Sequence, residues 1–331
     1  MKGVRIPALT VSLALPVLSA IGGTLDAQTS WRSPKTAWGD PDISGTFTNK
    51  DEQGIPLERP VELGTRMLLN DEEFAARQAA ARSQVQLDVA DFQSRGAASS
   101  PPGFTAGTAP DPVFNDRGQP SRRTSRIVDP PNGRIPDLTD AGRQRVAERD
   151  QARAPARRES PESYRDFGLF ERCITRGLPG SMMPAVYGNS YEIVQAPGYV
   201  AIRYEMVHET RIIPVDGGPH LSPSVRLHMG DARGSWDGDT LVVESTNFRP
   251  ESAYQGANAE ALRIIERFTP ASPTHLTWSV TVDDPTTWTA PWTFEVRLTR
   301  DPSQRVLEYA CHEGNYGLRN VLSTVRTLEG R

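Results

Sequence analysis

The sequence predicts a mainly β protein, an antiparallel up-and-down β-barrel with an N-terminal region of helices and loops in front of it. Three observations predict this. From Pro184 onward apolar and polar residues alternate with a period of two, the spacing that lets a strand bury one face. Turn signals separate the alternating runs, so neighbouring runs pair as hairpins. No helical period interrupts them, which removes the crossovers that a parallel sheet needs. The 28 prolines and 27 glycines fit the same picture, because so many turn formers suit loops and hairpins better than a helical bundle. The expected division is a signal peptide over residues 1–27, helices and Pro/Gly-rich loops packed on the barrel over 28–183, and the barrel over 184–331.

Residues 1–27 have the parts of a secretory signal. Lys2 and Arg5 start it, an apolar run extends from Ile6 to Ile21, and small residues lead to a cleavage site after Ala27. Pro7 and Pro16 break the run, which falls short of the roughly 20 residues a comfortable membrane span needs. No later segment approaches that length, so the mature chain is expected to be secreted or periplasmic and without a membrane span. Losing Lys2, Arg5 and Asp26 moves the formal charge from −4 to about −5, ordinary surface charge that gives no reason to expect nucleic acid as a partner.

Residues 28–60 read as an extended entry segment. After the turn formers Gly39-Asp40-Pro41, residues 42–48 read as a strand that is a candidate to join the sheet. Asn70 is placed to cap a helix from Asp71 to about Asp91, with an acidic first turn as the helix dipole prefers. Between Ser94 and Pro136, Ser, Gly, Pro and Ala dominate; the scattered Phe104, Phe114, Ile127 and Val128 suit an ordered loop draped over the domain. Thr139 or Asp140 opens a second, charged helix to about Arg153. Ser160-Pro161-Glu162 has the order of a third helix start, running towards Cys173.

The strands then follow. Residues 191–196 and 199–207 flank Pro197-Gly198, and 211–215 comes next. Gly234-Ser235-Trp236 and residues 239–248 flank Asp237-Gly238, the strongest short hairpin signal in the chain. Residues 261–269, 275–282, 292–300 and 306–311 complete about eight successive strands. A sheet of that length either closes into a barrel or folds into a sandwich, and up-and-down order with short turns favours the barrel. In strand order and turn length this half resembles the lipocalins and other calycins, and Gly45-Thr46-Phe47 is similar to the Gly-x-Trp opening of lipocalins; the resemblance implies a calycin-like barrel.

A wider resemblance rests on Arg123-Thr124-Ser125-Arg126-Ile127-Val128-Asp129-Pro130-Pro131, Val207-His208-Glu209-Thr210-Arg211-Ile212-Ile213 and Gly230-Asp231-Ala232-Arg233-Gly234. It also takes in Trp236-Asp237-Gly238-Asp239-Thr240-Leu241-Val242-Val243-Glu244 and Glu308-Tyr309-Ala310-Cys311-His312-Glu313-Gly314-Asn315. On these segments the chain resembles a family of uncharacterised secreted proteins common in acidobacteria and some proteobacteria, and the resemblance implies no activity.

Cys173 and Cys311 make up the cysteine complement. In an oxidising compartment a lone pair reads as one disulfide, and closing so long a loop is worth up to about 5 kcal/mol in the chain-entropy picture. The alternative is two free thiols with one acting as nucleophile, although neither lies in a C-x-x-C pair.

Alternation also places polar groups among apolar ones. One face of residues 239–248 carries Val242, Glu244, Thr246 and Phe248. One face of 261–269 carries Leu262, Ile264, Glu266 and Phe268, and one face of 306–312 carries Val306, Glu308, Ala310 and His312. If these faces point inward, three glutamates enter the barrel, where an unpaired ion costs several kcal/mol. They must therefore pair with strand arginines such as Arg203, Arg211, Arg263, Arg267 and Arg297, or serve a ligand, and the two readings coexist in a pocket wall. His208-Glu209 and His312-Glu313 lie at strand ends, the rim of a barrel, where imidazole and carboxylate suit acid–base chemistry or a divalent metal, against the plainer reading of wet loop histidines. Trp278, Trp288, Trp292 and Phe294 read either as core or as a stacking shelf for an aromatic ligand.

No Gly-x-Gly-x-x-Gly, Walker-type loop or Gly-x-Ser-x-Gly elbow is present, and beyond the signal the lysines are Lys35 and Lys50, which argues against Schiff-base chemistry. The first functional expectation is extracytoplasmic binding of a small apolar or aromatic ligand in the barrel, with no organic cofactor. Glu244, Glu266 and Glu308 would orient that ligand, His208 and His312 would stand at the mouth, and Arg211, Arg233, Trp288 and Trp292 would contact it. The alternative is an acid–base lyase, isomerase or hydrolase in the same cavity, with His208, Glu244 and His312 as catalytic candidates and Arg211 or Arg233 stabilising negative charge. A third reading is an envelope interaction module that uses the loops before Pro184.

Overall fold

The computed structural model describes residues 31–98, 115–152, 161, 163–313, 315–328 and 330. The expected signal peptide, Phe104, Phe114, and Ser160 and Glu162 of the third expected helix lie outside them. The strands are β1 (Gly45–Thr48), β2 (Ile127–Asp129), β3 (Ser190–Ala196), β4 (Tyr199–Tyr204), β5 (Thr210–Pro214) and β6 (Asp231–Asp237). They continue with β7 (Thr240–Thr246), β8 (Arg263–Ser272), β9 (His275–Asp283) and β10 (Trp292–Arg300). All belong to one sheet in the order β5-β4-β3-β1-β10-β9-β8-β7-β6, with β2 pairing to β10 beside β1. Every ladder is antiparallel. The two ends of this order come together: a Cβ on Gly234 of β6 would stand 3.1 Å from the Cγ2 atoms of both Ile213 and Val215, so the missing side chain lets the edges meet. The result is a mainly β, nearly closed antiparallel barrel.

Nine runs after Pro184 read as strands and eight strands form, β3 to β10, so expectation and structure differ at one place. Residues 306–311 form no strand, because the edge of β10 that they would need is already taken by β1 and β2, and Cys311 is bonded to Cys173. The entry strand near Ile43 fills that slot instead, inserting between β3 and β10.

Among the described residues three α-helices accompany the sheet: α1 (Asp71–Ala98), α2 (Asp140–Ala152) and α3 (Tyr316–Leu328). Asn70 caps α1 as expected, its Oδ1 accepting from the Glu73 amide while Glu73 Oε2 accepts from the Asn70 amide, both at 2.9 Å. The third expected helix before Cys173 is instead a short turn, Tyr164–Asp166, capped by Ser163. The sequence reading also gave α3 no place, because it extended the barrel to the end of the chain. Among the described residues no helix is long and apolar enough to cross a membrane.

The barrel has two unlike ends. At the hairpin end β3–β4, β6–β7 and β8–β9 turn over two residues, with Gly198 and Gly238 supplying φ values of +77° and +60°. At the loop end lie the long segments 163–189 and 247–262. There Leu178 and Met182 are fully buried and plug the opening, held by the Asn49 side-chain amide, which donates to Met182 O at 2.7 Å and Tyr191 Oη at 2.9 Å.

Candidate functional site

The interior settles which sheet faces are inside. Leu262, Ile264, Glu266 and Phe268 all point in, and Glu266 has no exposed surface. Its Oε2 lies 2.6 Å from Arg211 Nη2, and its Oε1 accepts from Trp278 Nε1 at 3.0 Å. Burial works against the Arg211 charge, but Glu266 and the neighbouring Tyr204 more than offset it and hold its pKa up. Burial also pushes the Tyr191 and Tyr204 hydroxyls well above their ordinary range. Glu266, Tyr191 and Tyr204, like Trp278, Phe268 and Phe294, keep no accessible surface, and Arg211 keeps 5%, whereas a side chain facing a water-sized void would keep more. Arg211 and Glu266 are therefore an ion pair inside a filled barrel.

The other sequence candidates separate. On β7 it is Leu241, Val243 and Ser245 that point in, so Glu244 is on the outer surface. Phe248 is nevertheless buried, because Asn247 adopts a φ of +56° and resets the alternation. Glu244 bonds Arg263 Nη2 at 2.6 Å, and this contact holds its pKa below the ordinary carboxylate value. His220 joins it on the outer wall, its Nδ1 2.9 Å from the buried Asp231 Oδ2 and its Nε2 3.5 Å from Glu244 Oε1. Arg233 donates to Asp231 and to Pro219 O, both at 2.8 Å. Together these contacts clip the 215–230 connection to the wall and occupy both nitrogens of His220.

His208 and His312 are exposed on different segments, and Glu308 is exposed on the irregular stretch after β10. Trp288 and Trp292 are core: their rings meet edge to face at 5.9 Å, and Trp292 also packs on Tyr254 and Phe294. No shelf is left for a ligand between them. Among the described residues no group of three or more His, Cys, Asp or Glu is placed to hold a metal ion.

Open space lies at the loop end, outside the plug. The plug segment and residues 251–255 enclose a cleft of about 490 Å³, continuous with a second of about 630 Å³ that reaches α2. Leu169, Phe170, Leu178, Met183 and Tyr254 give it apolar walls. Arg176, Glu171 and Glu251 give it charge. Thr175 anchors the plug by donating to Glu209 Oε2 at 2.7 Å. The Cys173–Cys311 disulfide, with Cα atoms 5.7 Å apart, ties the base of the same segment to the C-terminal stretch, where Tyr187 stacks on Tyr309 at 6.3 Å. Burial raises the Tyr254 pKa to about 12 and lowers that of Arg176.

The sequence reading missed this cleft. Its residues come from a segment with neither a period of two nor a helical period, so no face could be assigned. The usable signal was Cys173 itself, which implied that the surrounding stretch is fixed in place.

Fold and site together define an antiparallel barrel with a filled interior and a ligand-sized cleft against its plugged mouth. No family model and no curated protein matches the chain. Among solved structures it is similar to a secretory abundant heat soluble (SAHS) protein from Ramazzottius varieornatus, at 10% identity and a TM-score of 0.24, over 40% of this chain and 87% of that one.

Proposed function

We propose that the chain is a secreted or periplasmic binding protein that holds a small, partly apolar molecule in the cleft between the 166–183 segment and residues 251–255. The observation that carries this reading is the cleft itself: at about 490 Å³ it falls within the range of small-molecule sites, and it mixes apolar walls with a few charged groups as such sites do. The packed interior favours the barrel's mouth over its inside as the place for that molecule. Support for the compartment comes from the disulfide, which suits an oxidising environment.

Catalysis has less support, because the imidazoles of His208 and His312 stand exposed on separate segments and those of the outer wall are engaged. The test is a ligand-observed NMR screen of a fragment library against the wild type and Ala253→Trp, which fills the space between the two clefts. Fragments that bind the wild type and lose binding on substitution are the expected result. Fragment binding that persists in Ala253→Trp would place the site elsewhere.

A further inference from the structure

The cleft contains a cation with no counter-ion. Arg176 lies in its wall, largely buried, and among the described residues no carboxylate bonds it; its Nη1 is closed off from solvent without a hydrogen-bond partner, which leaves Nε and Nη2 as the nitrogens a ligand would meet. The groups that face it are the hydroxyls of Tyr187, Tyr191 and Tyr309, and its guanidinium lies 5.7 Å from the centre of the Phe170 ring. The fold solves the same problem differently elsewhere: buried Arg211 has Glu266, and Arg123 has Glu52 at 3.1 Å. A desolvated guanidinium left without a partner is costly, and an anion that brings its own charge-assisted hydrogen bonds removes that cost.

Resting on the cleft as the binding site, we propose that its ligand is a small organic monoanion, a carboxylate attached to an apolar body, with Arg176 receiving the carboxylate. The other charges of the smaller cleft disfavour a polyanion there. Asp166, Glu171 and Glu251 line it and would repel a second negative charge, while Arg145, Arg149, Arg165 and Arg172 belong to the adjoining cleft. Glu251 is held by Arg249 at 2.7 Å, and Asp166 caps the Ser163 amide at 2.9 Å. Arg176 is thus the buried cation available to a ligand there. The apolar body then lies against Leu169, Leu178 and Met183, and Phe170 keeps the guanidinium in place through its ring face.

The experiment is isothermal titration of the full chain, disulfide intact, with matched pairs of acids and their uncharged amides: benzoate and benzamide, 4-phenylbutyrate and its amide, octanoate and its amide. In at least one pair the acid binds about tenfold or more tighter than its amide, the margin expected of hydrogen bonds to a charged group. Arg176→Gln brings the acid down to the affinity of the amide, and Arg176→Lys restores part of the difference. Acid and amide binding equally in every pair overturns the proposal while leaving the cleft as a neutral-ligand site. A preference that survives in Arg176→Gln also overturns it. If no member of any pair binds, the cleft reading falls together with this one. The wild-type comparison needs no variant, so a substitution that unfolds the protein does not remove the test.

Discussion

The two ends of the barrel solve the same closure problem in opposite ways. At the hairpin end three two-residue turns close the strands locally, and the interior beside them is apolar: Ile193, Val200, Ile213, Leu241, Phe268 and Leu276 are all buried there. At the loop end closure is made by distant pieces of chain. Asn49, the 175–183 plug and the disulfide meet there, and Tyr191, Tyr204, Arg211 and Ser245 each lie within a residue of the strand terminus that faces it. Local turns need nothing more than a short sequence signal. A plug assembled from remote segments needs specific polar contacts to fix its position, and its outer side then becomes a shaped surface. That difference explains why the cleft forms at one end and not the other.

The largest effect that would sharpen this contrast is on the interior ion pair. Arg211→Met leaves Glu266 without its counter-ion in a dry interior and should cost about 3–5 kcal/mol in urea unfolding. Arg211→Met combined with Glu266→Gln, which keeps an acceptor for Trp278 Nε1, should cost clearly less than the single change. A single change costing under about 1 kcal/mol would mean that the pair contributes little to the loop half, against the expectation for a buried pair.

The next effect is on the tie between segments. Changing Cys173 and Cys311 together to serine removes a cross-link across 138 residues and should cost about 3 kcal/mol, below the chain-entropy ceiling. The location of the change is more informative than its size. Amide exchange should quicken over residues 169–183 and around 306–313, while β6–β7 and β8–β9 at the hairpin end keep their protection, since their turns do not depend on the disulfide. Uniform loss of protection in both halves would show that the two ends are one cooperative unit and would break the comparison.

The same contrast governs what was legible in the sequence. Hairpins are local, so the eight strands after Pro184, the Asp237-Gly238 turn and the Asn70 cap could be read from neighbouring residues. The inward face of β8 was also legible, because Leu262, Ile264 and Phe268 outweigh any alternative around Glu266. On β7 the two faces carry similar apolar weight, Leu241 and Val243 against Val242 and Phe248, and the left-handed Asn247 that separates Phe248 from Glu244 cannot be seen in a pattern of alternation. Residues 306–311 have strand-like alternation yet find no free edge, an outcome set by competition with β1 for β10. The plug and Arg176 were illegible for the same reason: their structure is imposed by contacts with residues far along the chain.

The smallest effect concerns Glu209, which links the plug to the interior. Its carboxylate accepts from Thr175 on one side and faces Arg211 and Tyr204 on the other. Burial raises its pKa above the ordinary 4.5, a shift that Thr175 and Arg211 only partly offset. A carboxyl whose pKa is higher in the folded state binds its proton more tightly there, so its stabilising contribution is complete below the ordinary value and is lost as pH rises through the raised one. Burial raises Glu52 and Glu205 as well, and they add to the slope in the same direction. Glu209→Gln keeps an acceptor for the Thr175 hydroxyl and removes the charge. The urea midpoint of the variant should therefore fall less than that of the wild type between pH 4.5 and neutrality, leaving it more stable at pH 7 by a fraction of a kcal/mol. Curves that run parallel would mean that Glu209 is hydrated at the plug, and that the loop end is sealed by Leu178 and Met182 without help from the polar contact beneath them.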